Sequence, residues 1–556
     1  MSIFTDVFIK PPRRSKQVLD HPHFTTTDFG KIIPVLVEDV VPGDVFKCRT
    51  AAQIKLFPTL APMMQGIEVR IDYFFVPNRL LWKDWQEFIT GGEDGTSEVV
   101  KPYTDASQQL TTPGSLWDYM GLPPTIEAGL RGNDTDLEPD TSVQVDSMPF
   151  RAYDMIYNEF YRDETLQEDQ QTPLTGGYDR TSYALHYRGF KKDYFTSALP
   201  WTQRGPQVTI PIAGEAPISG QIDSTGQPSV ITTDENGMYY RQNESDFDQS
   251  SYDLKLYRDS SELSGAHLRA STNPTYDSYN LNHIHTLDNP ILGANVKGSA
   301  DLSEASGITI NELRRLNSVQ KWLERNARAG GRYVEQILSH FGVRTPDYRL
   351  DRPEYIGGAK QVIGMAEVLQ TSETATSPQG SRAGVGFGNM LASSKKYHID
   401  EHGWIMGLMS IIPAQNIYAD GFQRKFTRTT KFDYYFPEFQ NLGEQAILNK
   451  ELFGYAISGQ EPMDDSFGYT PRYAEYRYHP GIVTGQMRTS MAYWHMARLF
   501  NEQPTLSEQF ISSYNSLEDY DRLFPTSESL GDRFIVYMHH FERLKRPMQK
   551  NPNPSL

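Results

Sequence analysis

The chain of 556 residues carries a formal net charge of -17, with 38% hydrophobic and 12% aromatic residues and a single cysteine. That is ample for a folded core; a length prior gives about three or four domains, and the absence of any run of about 18 apolar residues excludes a helical membrane span. The negative charge opposes general nucleic-acid binding unless basic residues are segregated on one face, while the lone Cys48 cannot form an internal disulfide.

The first basic cluster is Arg13, Arg14 and Lys16, in an arm that also holds prolines. The start, MSIFTDVFIKPPRRSK, lacks the apolar run of a secretory signal, and with the single cysteine this predicts assembly in a reducing cytoplasm. His21 and His23 are two apart, on one side of a strand, with no third metal ligand near them in sequence. Pro42-Gly43-Asp44 reads as a turn feeding the strand signal Val45-Phe46-Lys47-Cys48, where Cys48 behaves as a small buried hydrophobe and not as a nucleophile. Pro58 and Pro62 punctuate the next stretch, as at an edge or corner of a sandwich.

From Ile67 to Phe75 apolar residues alternate with Glu68, Arg70 and Asp72, predicting a strand with one packed face and one face toward charge or solvent. Asn78 is placed to cap a short helix carrying Leu81, Trp85 and Phe88 and ended by Gly91-Gly92. Between Asp134 and Asp169 eleven acids face two arginines. Within that stretch Tyr153, Ile156, Tyr157 and Phe160 form a helical stripe, so Asp154, Glu159 and Asp163 read as its wet face. Asp163 and Glu164 are adjacent and diverge by about 100° on a helix, which argues against an acid/base pair.

Residues 212–303 contain thirteen acids and five bases, a net of -8, among many Ser, Thr, Asn, Gly and Tyr. The stretch is too long for a simple loop and reads as an ordered excursion with short strands, one of them SYDLKLYRD. Its Tyr239, Tyr240, Tyr252 and Tyr257 are the candidates for a recognition surface, with a mere spacer as the plainer alternative. His283 and His285 again lack a third ligand.

Helix then returns. Thr309 and Glu312 form a capping box, Leu313, Leu316, Val319, Trp322 and Leu323 an apolar face, and Gly330-Gly331 a break. A second helix from Tyr333 to Phe341 ends at Gly342. Residues 370–394 read as a flexible connection, since Gly384, Gly386 and Gly388 match no phosphate loop. Strands are expected at Trp404–Ile412, around Phe432, Tyr434 and Phe436, over Tyr469–Tyr478, and as a closing strand through Phe534, Val536, Met538 and His540. His398, Glu401 and His402 fit H-x-x-E-H, but Gly403 and a strand come next, so the helix that zinc chemistry needs is missing. No serine-hydrolase elbow occurs. A second basic cluster, Arg543, Lys545, Arg546 and Lys550, closes the chain. Solvated ends are the plain reading of both clusters.

Several phrases in this series, PGDVF, FFVPNRLLWKDW, FRAYDMIYNEFYRDETLQ, YFTSALPW, RLNSVQKWLERNARAGGRYVEQILSHFGVRTPDYRLDRPEYIGG, EHGWIMGL and FGYTPRYAEYRYHPGIVTGQMR, resemble the major capsid proteins of the Microviridae, most closely the gokushovirus branch. The resemblance runs from about Pro42 to Pro547 and is weakest across 212–303. It implies a mainly β protein, an eight-stranded antiparallel jelly roll of the viral capsid type with long helical and loop insertions. Its parts would be 1–211, the arm and first part of the roll; 212–303, an insertion protruding at threefold axes and suited to a bacterial surface receptor; and 304–556, the helical segment, remaining strands and tail.

The function so implied is a T=1 icosahedral shell of identical subunits around a circular single-stranded DNA, found in the virion and assembled in the host bacterial cytoplasm. Implied partners are a small basic packaged protein, an internal scaffolding protein and a DNA pilot protein, with no catalytic residue, cofactor or metal and no membrane insertion. An acidic chain must contact a genome locally, and the candidates are Arg13, Arg14, Lys16, Arg543, Lys545, Arg546 and Lys550. The alternatives are an attachment or fibre protein that forms no shell, and a jelly-roll enzyme with two carboxylates across a glycan groove.

Overall fold

The computed structural model describes residues 13–132, 134–206, 208, 231–233, 239–241, 251–258, 261–271, 310–372, 379–456, 464–513, 517–525 and 531–550. In chain order the strands β1 (Ser15–Val18), β2 (His21–Thr27), β3 (Ile33–Val40), β4 (Val45–Leu56) and β5 (Ile67–Pro77) come first. Helices α1 (Asn78–Leu81), α2 (Trp85–Thr90), α3 (Leu116–Tyr119) and α4 (Met148–Ile156) are next, with β6 (Tyr103–Thr104) and β7 (Val145–Asp146) between them. Then come β8 (Ile231–Thr233), β9 (Tyr239–Arg241), β10 (Ser251–Arg258), β11 (Ser261–Ser271), α5 (Ile310–Ala329) and α6 (Tyr333–Phe341). The remaining strands are β12 (Glu354–Ile363), β13 (Met365–Leu369), β14 (Arg382–Ser393), β15 (Tyr397–His398), β16 (Gly403–Pro413), β17 (Glu444–Leu448), β18 (Ser466–Pro471) and β19 (Phe534–Arg546).

Eleven of these strands build two facing antiparallel sheets, while β6 with β7 and β17 with β18 form separate pairs. One has seven strands in the order β1-β19-β4-β14-β13, with β2 also on β19 and β15 on β4; the other has the order β12-β5-β16-β3. Their shared core joins Cys48, Ile54, Met390, Val536 and Met538 of the first sheet to Ile33, Ile67, Ile71, Ile405 and Met409 of the second. On its other face the four-stranded sheet packs α4: Phe74, Val76, Met406 and Leu408 meet Met148, Phe150, Tyr153 and Ile156.

That extra layer corrects the half-exposed reading of β5, whose Glu68 and Asp72 are only 3% and 2% exposed. Burial of a carboxylate requires partners, and they are present: Lys191 Nζ lies 2.6 Å from Glu68, while Asp72 is bridged to Arg70 at 2.5 Å and accepts from the Tyr161 and Tyr355 hydroxyls at 3.2 Å. Asp154 is likewise not wet. It is buried and lies 2.7 Å from His186 Nε2, whereas Glu159 and Asp163 are partly exposed and meet Arg352 and Lys192.

Other local expectations shift for identifiable reasons. Asn78 sits inside α1 and makes no side-chain cap; the expected single helix breaks at residues 82–84 and resumes as α2, ended by Gly91 in the left-handed conformation. Residues 382–393 are no flexible connection but the strand β14, whose glycines answer a packing demand: a Cβ on Gly388 would lie 1.7 Å from Ile363 Cγ2. Around Phe432 and Phe436 the chain makes 3-10 turns and no strand, and β18 stops at Pro471 before Tyr473, which has a φ of 62°. Gly330 breaks the helical region, Gly342 with φ +69° ends α6, and Thr309, the expected cap, lies outside the described residues.

The chain divides into two compact units, Met1–Pro206 with Trp322–Leu556, and Gln207–Lys321. In the second, short strands occur as expected and form an antiparallel sheet of order β11-β10-β9-β8. Tyr239 and Tyr240 lie on β9 and Tyr252 and Tyr257 on β10, with Tyr239 opposite Tyr257. His283 and His285 lie outside the described residues. Among the described residues no helix is long and apolar enough to cross a membrane.

Candidate nucleic-acid interface

The last strand, β19, organises the site. Its even-numbered residues from Phe534 to Leu544 are buried, so Ile535, Tyr537, His539, Phe541, Arg543 and Lys545 point to the other face of the seven-stranded sheet. Its neighbours continue that face. Register places Lys16 opposite Lys545 on β1, Phe24 opposite Tyr537 on β2, and Lys47, Arg49 and Lys55 of β4 opposite Arg543, Phe541 and Ile535. On the far side of β4, Phe387 of β14 stands opposite Lys55.

The face therefore holds six cations, Lys16, Lys47, Arg49, Lys55, Arg543 and Lys545, among aromatic rings. Phe24 is 74% exposed and lies 4.8 Å from the Tyr537 ring, and His539 and Phe541 meet edge to face at 4.6 Å. Like charges directly opposite each other destabilise a sheet, yet Lys16 faces Lys545 and Lys47 faces Arg543. Asp20, bridged to Arg543, relieves the second pair, and an anion lying over the first would relieve that one.

The structure thus brings together the two basic ends, which are more than 500 residues apart, but divides their members. Lys16 and Lys545 are exposed on the sheet, and Arg13, Arg14 and Lys550 are exposed beside the strand ends. Arg543 is tied to Asp20, and Arg546 lies 3.0 Å from Asp44 and donates to the Asp39 carbonyl at 2.9 Å, which fixes the turn before β4. Sequence reasoning missed Lys47, Arg49 and Lys55. Their signal was available: KCRTAAQIK spaces its cations on odd-numbered positions, one face of a strand.

Beneath this face lies a polar seam. His540 is fully buried; its Nδ1 is 2.8 Å from Thr50 Oγ1, and its ring stacks on His21 at 4.9 Å and approaches His23 at 6.1 Å. Burial, with the two neighbouring imidazoles, lowers its pKa to about 3. Glu542 is also fully buried, neither carboxylate oxygen has a hydrogen-bond partner, and burial with nearby Glu38 raises its pKa to about 8. A third imidazole therefore does join His21 and His23, but no group of three or more His, Cys, Asp or Glu among the described residues is arranged to hold a metal ion.

The remaining sequence candidates have structural partners. Burial pushes the Cys48 thiol up to about 12, far from thiolate chemistry. His398 lies on the short strand β15, Glu401 receives Arg79 at 2.9 Å, and the His402 carbonyl accepts from the Asn78 amide, so the H-x-x-E-H residues share no helix. Glu164 lies 2.8 Å from Arg204.

Over residues 9–556 the chain matches the family described as capsid protein (F protein). It is 33% identical to capsid protein VP1 of Chlamydia phage 1 over 610 residues, covering 100% of this chain and 97% of that protein. It is 32% identical to capsid protein VP1 of Bdellovibrio phage phiMH2K, covering 92% and 91%, and 28% identical to that of Spiroplasma virus 4, covering 91% and 88%. A two-sheet antiparallel β protein that matches along its whole length in this way belongs to the phage capsid protein (F protein) family and is a structural protein of the virus particle.

Proposed function

We propose that copies of this chain close into a T=1 icosahedral shell around a circular single-stranded DNA, with the bare face of the seven-stranded sheet turned toward the genome. The observation that carries this reading is the row of exposed cations and rings across β1, β2, β19, β4 and β14, in a chain whose net charge is -17. Cations neutralise phosphates whatever the sequence, and rings stack on unpaired bases.

Strand order supports the eight-stranded jelly roll of viral capsids. Taking β2, β3, β4, β5, β12, β14, β16 and β19 in turn, the chain crosses between the sheets at every step except β5 to β12, which are neighbours in one sheet, giving β2-β19-β4-β14 over β3-β16-β5-β12. One surface of six cations cannot neutralise a genome, which favours a small basic packaged protein as partner, with an internal scaffolding protein and a DNA pilot protein acting during assembly in the host cytoplasm. Residues 212–303, acidic and rich in tyrosine, are the protruding part that meets the host receptor.

Electron microscopy and sedimentation of particles from infected cells test the reading: closed shells of uniform size with nuclease-protected single-stranded DNA are expected. Replacing Lys16, Lys47, Arg49 and Lys545 together by Gln should leave shells intact and lower their protected DNA several-fold. Unchanged DNA content in that variant would remove the sheet face from the genome contact, and fibres or trimers in place of shells would overturn the shell itself.

A further inference from the structure

Two exposed surfaces of the first unit have opposite chemistry and no role in the sheet face. The first is the helical surface over residues 322–349. No residue of α6 is buried, Tyr333 is 70% and Phe341 78% exposed, and Trp322 of α5 is half exposed. Arg325, Arg344 and Arg349 of the same stretch are exposed, with no carboxylate partner among the described residues, and Arg349 lies over the half-exposed Tyr348 ring at 6.0 Å. An apolar patch of this kind, rimmed by charge, marks an association surface.

The second is the loop over 126–140, closed at its base by the pairing of Ile126 with Leu137. Its sequence IEAGLRGNDTDLEPD has five acids against one arginine. Leu130 is 70% exposed, and Asp134, Glu138 and Asp140 are exposed beside it. Leucine within an acidic rim complements aromatic rings within a basic rim.

We propose that the surface 322–349 of one copy docks on the loop 126–140 of a neighbouring copy, a head-to-tail contact between subunits. The inference rests on the shell reading above. Charge decides against the alternative in which the helices of two copies pair with each other: a self-complementary contact would set Arg325, Arg344 and Arg349 against their own equivalents. Two different patches on one chain make a heterologous contact, the kind that closes rings when the rotation between copies permits. Closed rings are what the vertices of an icosahedron require.

Charge exchange in the full chain tests this. One variant carries Arg344→Glu and Arg349→Glu, a second Asp134→Lys and Glu138→Lys, and a third all four. The four positions are exposed, and thermal melting by circular dichroism verifies that each variant folds as the wild type does. Each two-site variant is expected to lose at least tenfold in closed particles by sedimentation, and the four-site variant to recover most of the yield, because opposite charges face each other again. Two-site variants that assemble at wild-type yield would overturn the contact, as would a folded four-site variant that stays unassembled. Wild-type chain that forms no closed shell under the same conditions would refute the shell reading instead, so the two failures are distinguishable.

Discussion

Glu542 is the most consequential single residue beneath the basic face. Its carboxyl is fully buried without a hydrogen-bond partner, close enough to Glu38 and Asp20 to feel their charge and only partly offset by Arg546. An unfolded glutamate loses its proton near 4.5, but burial first and then the Glu38 charge hold this one protonated up to about 8. Between those pH values the folded state binds the extra proton, so stability falls as pH rises through that window and levels off above it. His540 works in the opposite sense: it stays neutral down to about 3 against an ordinary 6.5, so stability is gained as pH rises from 3 to 6.5. The two together place the maximum near pH 4.5 to 6.5. Glu542→Met, which keeps length and removes the carboxyl, should raise the melting temperature at pH 8 and flatten the decline between pH 6.5 and 8. An unchanged slope in melting curves of the variant would assign the decline to other buried acids.

At the scale of the element, β14 shows how a strand hides in its own sequence. GVGFGN reads as a flexible connection because glycine is a poor strand former, yet here Gly386 leaves room for Leu56 of the neighbouring strand β4 and Gly388 for Ile363 across the sandwich. Gly388→Ala would set a Cβ against both Cγ2 and Cβ of Ile363, an overpacking expected to cost about 1–3 kcal/mol. Ile363→Ala in the same chain should return part of that loss, and denaturant unfolding of the two single variants and the double variant measures the coupling. Additive losses would show that the glycine serves the strand's backbone and not this contact. The same physics explains what else was and was not legible. The alternation in β5 announced a strand, but not that Tyr161, Arg188 and Lys191, which are distant in sequence, would cover its polar face. β4 was visible only at its first four residues, because Ala51 and Ala52 interrupt the hydrophobic signal although the cation spacing continues to Lys55. The basic ends were legible as clusters, but their meeting on one sheet depends on β1 pairing with β19, which no local pattern encodes.

At the scale of the molecule, charge is unevenly divided, and the division predicts which part is dispensable for assembly. Residues 212–303 carry a net of -8 out of the chain's -17. The strands described in that region pair only with one another, in the order β11-β10-β9-β8, and contribute none to the two facing sheets. Removing them therefore breaks no register in the sandwich and leaves the basic face of β19 and β4 as it is. On the reading proposed above, this charged and tyrosine-rich unit, which gives no strand to the two facing sheets, is the part that meets the host cell. Replacing 212–303 by a short Gly/Ser linker should thus leave the yield of closed particles, measured by sedimentation, close to that of the wild type, while adsorption of those particles to host cells is abolished. Particles that adsorb normally would move recognition to another surface, and a chain that folds but no longer assembles would show that the unit contributes contacts between subunits.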